Sequence, residues 1–430
     1  HRQRPSTVRR ALRWTVAVGA GCAVVWASGT FYGTYARADG EPTNVIVATW
    51  MRENHMGVAG AQLENLYYRY VDTPVVGGTP TLSADLSGED SAGADDSDLL
   101  AAPSASATME PGTPTPQSNA TPSARSEPVL LGARSPEGPP AAPSPRPQRQ
   151  HLTPPPPIIS PVSRPQPKEG EWQPVASRVD GLPAVYVTRV RADDVHTSYY
   201  ASVMWIDTLL TKTMLVPGYE EPGGPDPYGG ALPQDLWPDV LANVNGAFRL
   251  DDTLGGYYFR GQTVKPLVEG KASAVIYGDG TLSIGKWGRD VSMTKDVEAV
   301  RQNLDLIVDK GKSQVADGAD HVTWGATTDK ESLAWRAALG QRDDGSLVYV
   351  GSPYLSADGL ANVLVGAGVK RAMVLDMNEY WAAGFYFRHK KDGTPLCRYL
   401  DPSIAGPCDR FLHRYKRDSF QFLARSSGGT

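Results

Sequence analysis

Between residues 74 and 170 the chain is written almost entirely in Pro, Ser, Thr, Ala and Gly, as in PSASATMEPGTPTPQSNATPSARSEP and HLTPPPPIISPVSRPQP. Sequence of this kind buries too little apolar surface to offset chain entropy, so a disordered linker is expected. Its proline runs favour extended, semi-rigid spacer conformations. No single core can run through such a stretch. It divides the chain into a short N-terminal part and one C-terminal domain over residues 172–424, within the normal size of a single fold.

The N-terminal part has a sharp charge boundary. Residues 1–13, HRQRPSTVRRALR, hold five arginines and no acid, whereas residues 14–35, WTVAVGAGCAVVWASGTFYGTY, hold no charged residue. A bilayer's hydrocarbon core takes about 20 apolar residues. Arginines before the run and aromatics at both ends fit the positive-inside rule and the interfacial belt. The expectation is a basic cytoplasmic segment, a transmembrane helix over 14–35, and a single-pass cell membrane protein whose main domain is extracytoplasmic. A cleaved signal peptide is the alternative. In residues 44–71, Val47, Trp50, Met51, Leu63, Leu66 and Tyr67 recur at spacings of three and four, which reads as a juxtamembrane amphipathic helix lying on the bilayer or on the downstream domain.

The formal net charge of −5 gives no attraction to nucleic acid. Cys397 and Cys408 stand close together in CRYLDPSIAGPC. On the outer side of a membrane they are expected to form a disulfide. Zinc is disfavoured, since no second Cys or His pair has ligand spacing.

The C-terminal part reads as one α+β domain on a single mixed sheet. KASAVIYGDGTLSIGKWG is a hairpin turning at Gly278-Asp279-Gly280, and LAWRAALGQRDDGSLVYVGS is another with Asp344-Gly345 at its tip. LWPDVLANVNGAFRL reads as a short helix followed by a strand. SADGLANVLVGAG reads as a helix capped by Ser356 and stopped by Gly368. The strand after it, Arg371 to Leu375, ends on VLDMNEYW, delivering Asp376, Asn378 and Glu379 at its carboxyl end. That is the edge where open α/β sheets hold ligands. A polar turn is the competing reading.

The order of these pieces resembles the phosphodiester glycosidase family, which includes the N-acetylglucosamine-1-phosphodiester α-N-acetylglucosaminidase-like domain, across roughly residues 184–388. The family's Asn-Gly-Gly-Phe is matched by Asn245-Gly246-Ala247-Phe248. Its Arg-Thr-Ala-x-Gly is matched by Arg336-Ala337-Ala338-Leu339-Gly340. Its Leu-Asp-Gly-Gly-Gly-Ser corresponds to Leu375-Asp376-Met377-Asn378-Glu379-Tyr380, which keeps the Asp and loses the glycines and the serine. With GGYYFRGQTVKPL and WGRDV upstream, this form looks like an actinobacterial membrane-anchored branch.

The resemblance implies hydrolysis of a glycosyl phosphodiester or a related bond in envelope glycopolymers. The alternative is a non-catalytic glycan-binding or scaffold module on the same fold. Cleavage at an anomeric carbon builds oxocarbenium character. It calls for a carboxylate on the sugar side and cations on the phosphate side. Asp376 is the expected base or nucleophile, and Glu379 is the alternative carboxylate. Arg336 is the expected phosphate clamp because guanidinium binds such oxygens bidentately. Arg249, Lys271, Asn245 and Asn378 are further substrate-binding candidates. Each has a bland competitor: ion pairing for the cations and turn formation for the amides. A divalent cation is the one cofactor left open. Asp251, Asp252 and Asp309 carry oxygen ligands of the kind a divalent cation takes, although no recognised motif arranges them.

Overall fold

The computed structural model describes residues 24–38, 41, 43–56, 74–87, 149–315, 324, 333–378 and 380–425. Strand accounts for 34% and helix for 13% of it. An eight-stranded sheet runs in the order Gln173–Pro174, Val185–Val190, Ala201–Ile206, Leu347–Leu355, Ala334–Gln341, Arg371–Met377, Leu306–Asp309, Lys312–Ser313. One five-stranded sheet orders Pro395–Tyr399, Gly384–His389, Val240–Asn245, Ser419–Ala424 and Thr211–Val216. The other is built from Leu282–Lys286, Ala272–Tyr277, Val297–Gln302, Tyr257–Phe259 and Gln262–Lys265.

This mostly β architecture corrects the expected α+β domain on a mixed sheet. The named strands pair antiparallel throughout, as in Ala334–Gln341 with both Leu347–Leu355 and Arg371–Met377. The reason lies in that last trio. The helix Ala357–Gly366 links two strands that run the same way, which suggests a parallel pair, but Ala334–Gln341 lies between them. Inserting the middle strand converts one parallel crossover into two antiparallel ladders. The expected helix in LWPDVLANVN is only the 3-10 turn Gln234–Asp239, with Pro238 inside it. Proline removes a helical donor and clashes with the preceding turn.

Both hairpins form where the turn residues place them. Ala272 faces Lys286 and Gln341 faces Leu347, with Gly280 and Gly345 at positive φ in the tips. Helix Ala357–Gly366 begins at Ser356, whose Oγ accepts from Gly359 N at 2.9 Å. Its Leu360 and Leu364 pack on Val203, Trp205, Ala338 and Val374 from one face of the large sheet. Met204, Leu339, Met373 and Leu375, on the other face, meet Phe385, Phe387, Phe420 and Phe422 of the sheet containing Val240–Asn245. Val374 and Leu375 thus point oppositely, as strand pleating requires. Each such side chain contributes roughly 1.5–3 kcal/mol when fully buried.

Among the described residues no helix is long and apolar enough to cross a membrane. This overturns the expected transmembrane helix and the single-pass cell membrane localisation. Residues 24–36 are helical, and this helix is held to the next, Thr43–Glu53, by polar contacts. Trp50 Nε1 donates to Thr30 Oγ1 at 2.9 Å and Thr34 Oγ1 donates to Glu53 at 2.6 Å. Residues 14–23 lie outside the described residues. Helix Thr43–Glu53 covers the start of the 44–71 stretch and lies on the downstream domain: Val45 is buried in the main core. Residues 57–71 are likewise outside the described residues.

Two stretches of the 74–170 segment also lie on the domain. Ser83 O accepts from Arg189 at 2.6 Å, and Leu86 N donates to Gln173 Oε1 at 2.9 Å. Ile158 packs beneath helix Ala357–Gly366, and Glu169 forms a buried pair with Arg191 at 2.6 Å. Extended proline-rich backbone has few donors to satisfy, so it can be laid along a surface with few hydrogen bonds. Residues 88–148 are outside the described residues.

Cys397 and Cys408 are joined as a disulfide. His389 is buried nearby, with Nδ1 3.1 Å from Ser177 Oγ and Nε2 3.0 Å from Trp237 O. Burial holds its pKa below the usual histidine value. The native state therefore binds fewer protons here than the unfolded chain. The stabilisation is complete above the ordinary histidine range and is lost as pH falls through it. Melting temperature is expected to drop from about pH 7.5 to about pH 5.5, on either side of that range. His389→Gln should show a shallower drop in paired thermal scans.

Candidate active site

The strand Arg371–Met377 ends on Asp376 against two other chain segments. One is the end of strand Val240–Asn245, and the other is the run Tyr415 to Asp418 that leads into strand Ser419–Ala424. Those two strands are paired, Ser419 facing Asn245, and Gly246 N donates to Asp418 O at 2.8 Å. The result is a crevice lined by Asn245, Gly246, Asp376, Trp381, Tyr415, Arg417 and Asp418, among others. Its free volume is about 10 Å³, about the space of one water.

Asp376 Oδ2 accepts from Arg417 Nη2, and its Oδ1 accepts from Met377 N at 2.8 Å. Both side chains are below a tenth exposed. Burial pushes the Asp376 carboxyl above the usual aspartate value, against the opposing pull of Arg417. Arg417 also donates to Ala247 O at 3.1 Å and lies over the Trp381 ring at 4.7 Å. Asp418 is fully buried, with Oδ2 on Arg301 Nε at 2.9 Å. Its Oδ1 and the Tyr415 hydroxyl have no hydrogen-bond partner among the described residues. Buried polar atoms are rarely left unpaired in folded proteins.

Gly246 is required at the bend, because a Cβ there would overlap the Asp418 carboxylate. Gly246→Ala is expected to cost about 1–3 kcal/mol, the usual penalty of overpacking, measured as a shift in urea midpoint.

Asn245 lines the crevice, and its side chain is committed. Oδ1 accepts from Tyr349 OH at 2.8 Å and from Ala383 N at 3.1 Å, while Nδ2 donates to Gly246 O at 2.9 Å. It positions the bend and does not offer a free amide. Asn378 adopts φ 106° and accepts from Tyr380 N at 2.9 Å, a local turn. Arg249 is mostly buried, and burial, then the charge of Arg417, holds its pKa below the usual arginine value.

Arg336 is not among the residues that line the crevice. It is 1% exposed and donates to Leu355 O at 2.8 Å and Trp324 O at 3.1 Å, tying strand ends together. The register shift between Arg336 and Ala338 sets it opposite Met377 and away from the crevice lining. Lys271 pairs with Asp305 at 2.9 Å, as a surface lysine does. Glu379 lies outside the described residues.

The acids considered for a cation do not gather. Asp309 pairs with Arg289 at 2.7 Å and Asp252 with Arg52 at 3.7 Å. Among the described residues no group of three or more His, Cys, Asp or Glu is arranged to hold a metal. A wider groove of about 750 Å³ runs past Arg260, Tyr277, Asp279, Lys295 and Glu298. It is open, and Arg260 is already paired with Glu298 at 2.6 Å.

Arg417, Asp418 and Tyr415 were not legible as site residues. They sit in HRYKRDSFQF, where the one available signal is a charged pair immediately before an apolar strand.

No family model matches the chain, and a search of curated proteins finds no match. Among solved structures, the catalytic domain of zebrafish N-acetylglucosamine-1-phosphodiester α-N-acetylglucosaminidase, described as auto-inhibited by its pro-peptide, is similar at 16% identity and a TM-score of 0.37. That similarity covers 59% of this chain and 88% of that one. A hypothetical protein from Synechocystis is similar at 10% identity and a TM-score of 0.32, over 59% of this chain and 64% of that one. The chain has a loose structural likeness to these two.

Proposed function

We propose that the domain hydrolyses the bond between an anomeric carbon and a phosphodiester oxygen, with envelope glycopolymers as the substrate class. The observation that supports this is the buried Asp376–Arg417 pair beside the unpaired Asp418 oxygen in one crevice. The phosphomonoester expelled is a weakly basic leaving group and needs cationic stabilisation more than a proton. Arg417 holds a phosphoryl oxygen and takes up the developing charge. Asp376 faces the anomeric carbon and accepts the proton of the attacking water. The bond between the anomeric carbon and the bridging phosphate oxygen breaks, its electron pair stays on the phosphomonoester, and water supplies the new anomeric hydroxyl. A carboxylate whose pKa is raised by burial is a stronger proton acceptor than an exposed one. The acid limb of kcat is therefore expected above the ordinary aspartate value of about 3.9. A limb at or below that value contradicts the assignment.

The test is turnover of a panel of glycosyl phosphodiesters, scored for release of both free sugar and phosphomonoester. Release of both products supports the reading. Binding of the panel without turnover favours the non-catalytic glycan-binding module.

A further inference from the structure

The crevice is lined by two carboxylates, and they differ in how many of their oxygens are engaged. Both oxygens of Asp376 are in use, one on Arg417 and one on Met377 N. Asp418 is fully buried and uses only Oδ2, which accepts from Arg301 Nε at 2.9 Å. Its Oδ1 has no hydrogen-bond partner among the described residues. The bare backbone of Gly246 lies against this carboxylate, since a Cβ there would stand 2.3 Å from its Cγ.

Tyr415 brings a second unengaged group to the same crevice. The residue is 8% exposed, and its hydroxyl also has no partner among the described residues. Its ring packs on Phe411 at 5.2 Å and on Trp381 at 6.1 Å, which fixes where the hydroxyl stands. A buried tyrosine hydroxyl usually finds a hydrogen-bond partner. The free volume these groups line is about 10 Å³. A space of that size holds one water when it has two to four polar partners. Asp418 Oδ1, the Tyr415 hydroxyl and Asp376 provide three.

We propose that Asp418 Oδ1 and the Tyr415 hydroxyl hold the water that attacks the anomeric carbon. This rests on the hydrolase reading above and adds the residues that place its nucleophile. The water donates one hydrogen to Asp418 Oδ1, accepts one from the Tyr415 hydroxyl, and turns its second hydrogen to Asp376. One lone pair is left for the anomeric carbon. As the new carbon–oxygen bond forms, the second hydrogen passes to Asp376 as a proton. The electron pair of the broken bond leaves on the phosphomonoester. Asp418 takes no proton and keeps its charge against Arg301, so it orients the water throughout. Holding a reactant in place beforehand removes the cost of ordering it during the reaction.

Tyr415→Phe in the full chain is the discriminating variant, because it removes one oxygen that no described residue bonds. It should melt with the unaltered chain. Its kcat on a glycosyl phosphodiester is expected to fall about 100-fold with KM unchanged, the scale of a misplaced reactant. With methanol added as a competing nucleophile, its ratio of methyl glycoside to free sugar should rise, a change that a purely structural tyrosine would not produce. Asp418→Asn has one accepting oxygen for Arg301 and the water together, and should lose kcat in the same way. If that variant folds poorly, Tyr415→Phe and a crystal structure of the unaltered chain carry the test. The crystal structure is expected to show one water within about 3.2 Å of both Asp418 Oδ1 and the Tyr415 hydroxyl. Unchanged kcat in Tyr415→Phe, a change in KM alone, or the lack of a water on those two groups overturns the proposal. Turnover by the unaltered chain alongside any of those results leaves the hydrolase reading standing. Absence of turnover by the unaltered chain across the panel removes both.

Discussion

Asp376→Asn is expected to lower kcat/KM on a glycosyl phosphodiester by about a thousandfold or more, in the upper range for loss of a positioned acid or base. Both carboxylate oxygens are in use, one on Met377 N and one on Arg417. An amide can accept with only one of them, and it brings no charge to Arg417 or to the attacking water. Removing one member of a buried ion pair costs roughly 3–5 kcal/mol, so lost activity must be separated from lost fold. The double variant Asp376→Leu/Arg417→Met makes the separation. Apolar replacement of both partners is often neutral or stabilising, so this protein should melt near the unaltered chain and still show no turnover. Activity retained in either variant would remove Asp376 from the reaction.

Arg301→Met is expected to cost as much stability as breaking the Asp376–Arg417 pair. Arg301 and Asp418 are both fully buried, and the guanidinium also donates to Phe248 O behind the crevice. Without it, Asp418 keeps a charge in the interior with one oxygen already unpaired. A loss of about 3–5 kcal/mol is expected, read from urea unfolding at neutral pH. A change below about 1 kcal/mol, the range of an exposed ion pair, would mean that the pair does not hold the floor of the site.

The half of the site contributed by Asp376 and Asn245 was readable because each ends an apolar strand on a polar residue at a bend. The argument that singled out Asp376 relied on the carboxyl edge of parallel strands. The strand is instead in an antiparallel sheet, and Asp376 reaches the crevice because Asn245 and Asp418 come to the same edge. Arg336 lies outside the crevice because backbone carbonyls at strand ends engage its guanidinium, a partner no local sequence pattern signals. Arg417 and Asp418 were missed because their importance depends on strand Ser419–Ala424 pairing with Val240–Asn245, a contact across much of the chain that no local pattern signals.

The N-terminal expectation failed for a related reason. Residues 14–35 lack charge, but Thr30 and Thr34 supply hydroxyls that engage Trp50 and Glu53. A hydropathy window counts such residues as nearly neutral and cannot register a polar partner.

The most direct measurement of the central claim is hydrolysis in ¹⁸O-labelled water with mass analysis of both products. Attack at the anomeric carbon, the step assigned to Asp376, places the label in the released sugar and none in the phosphomonoester. Label in the phosphomonoester would show attack at phosphorus, and the site would then be a phosphodiesterase of a different mechanism.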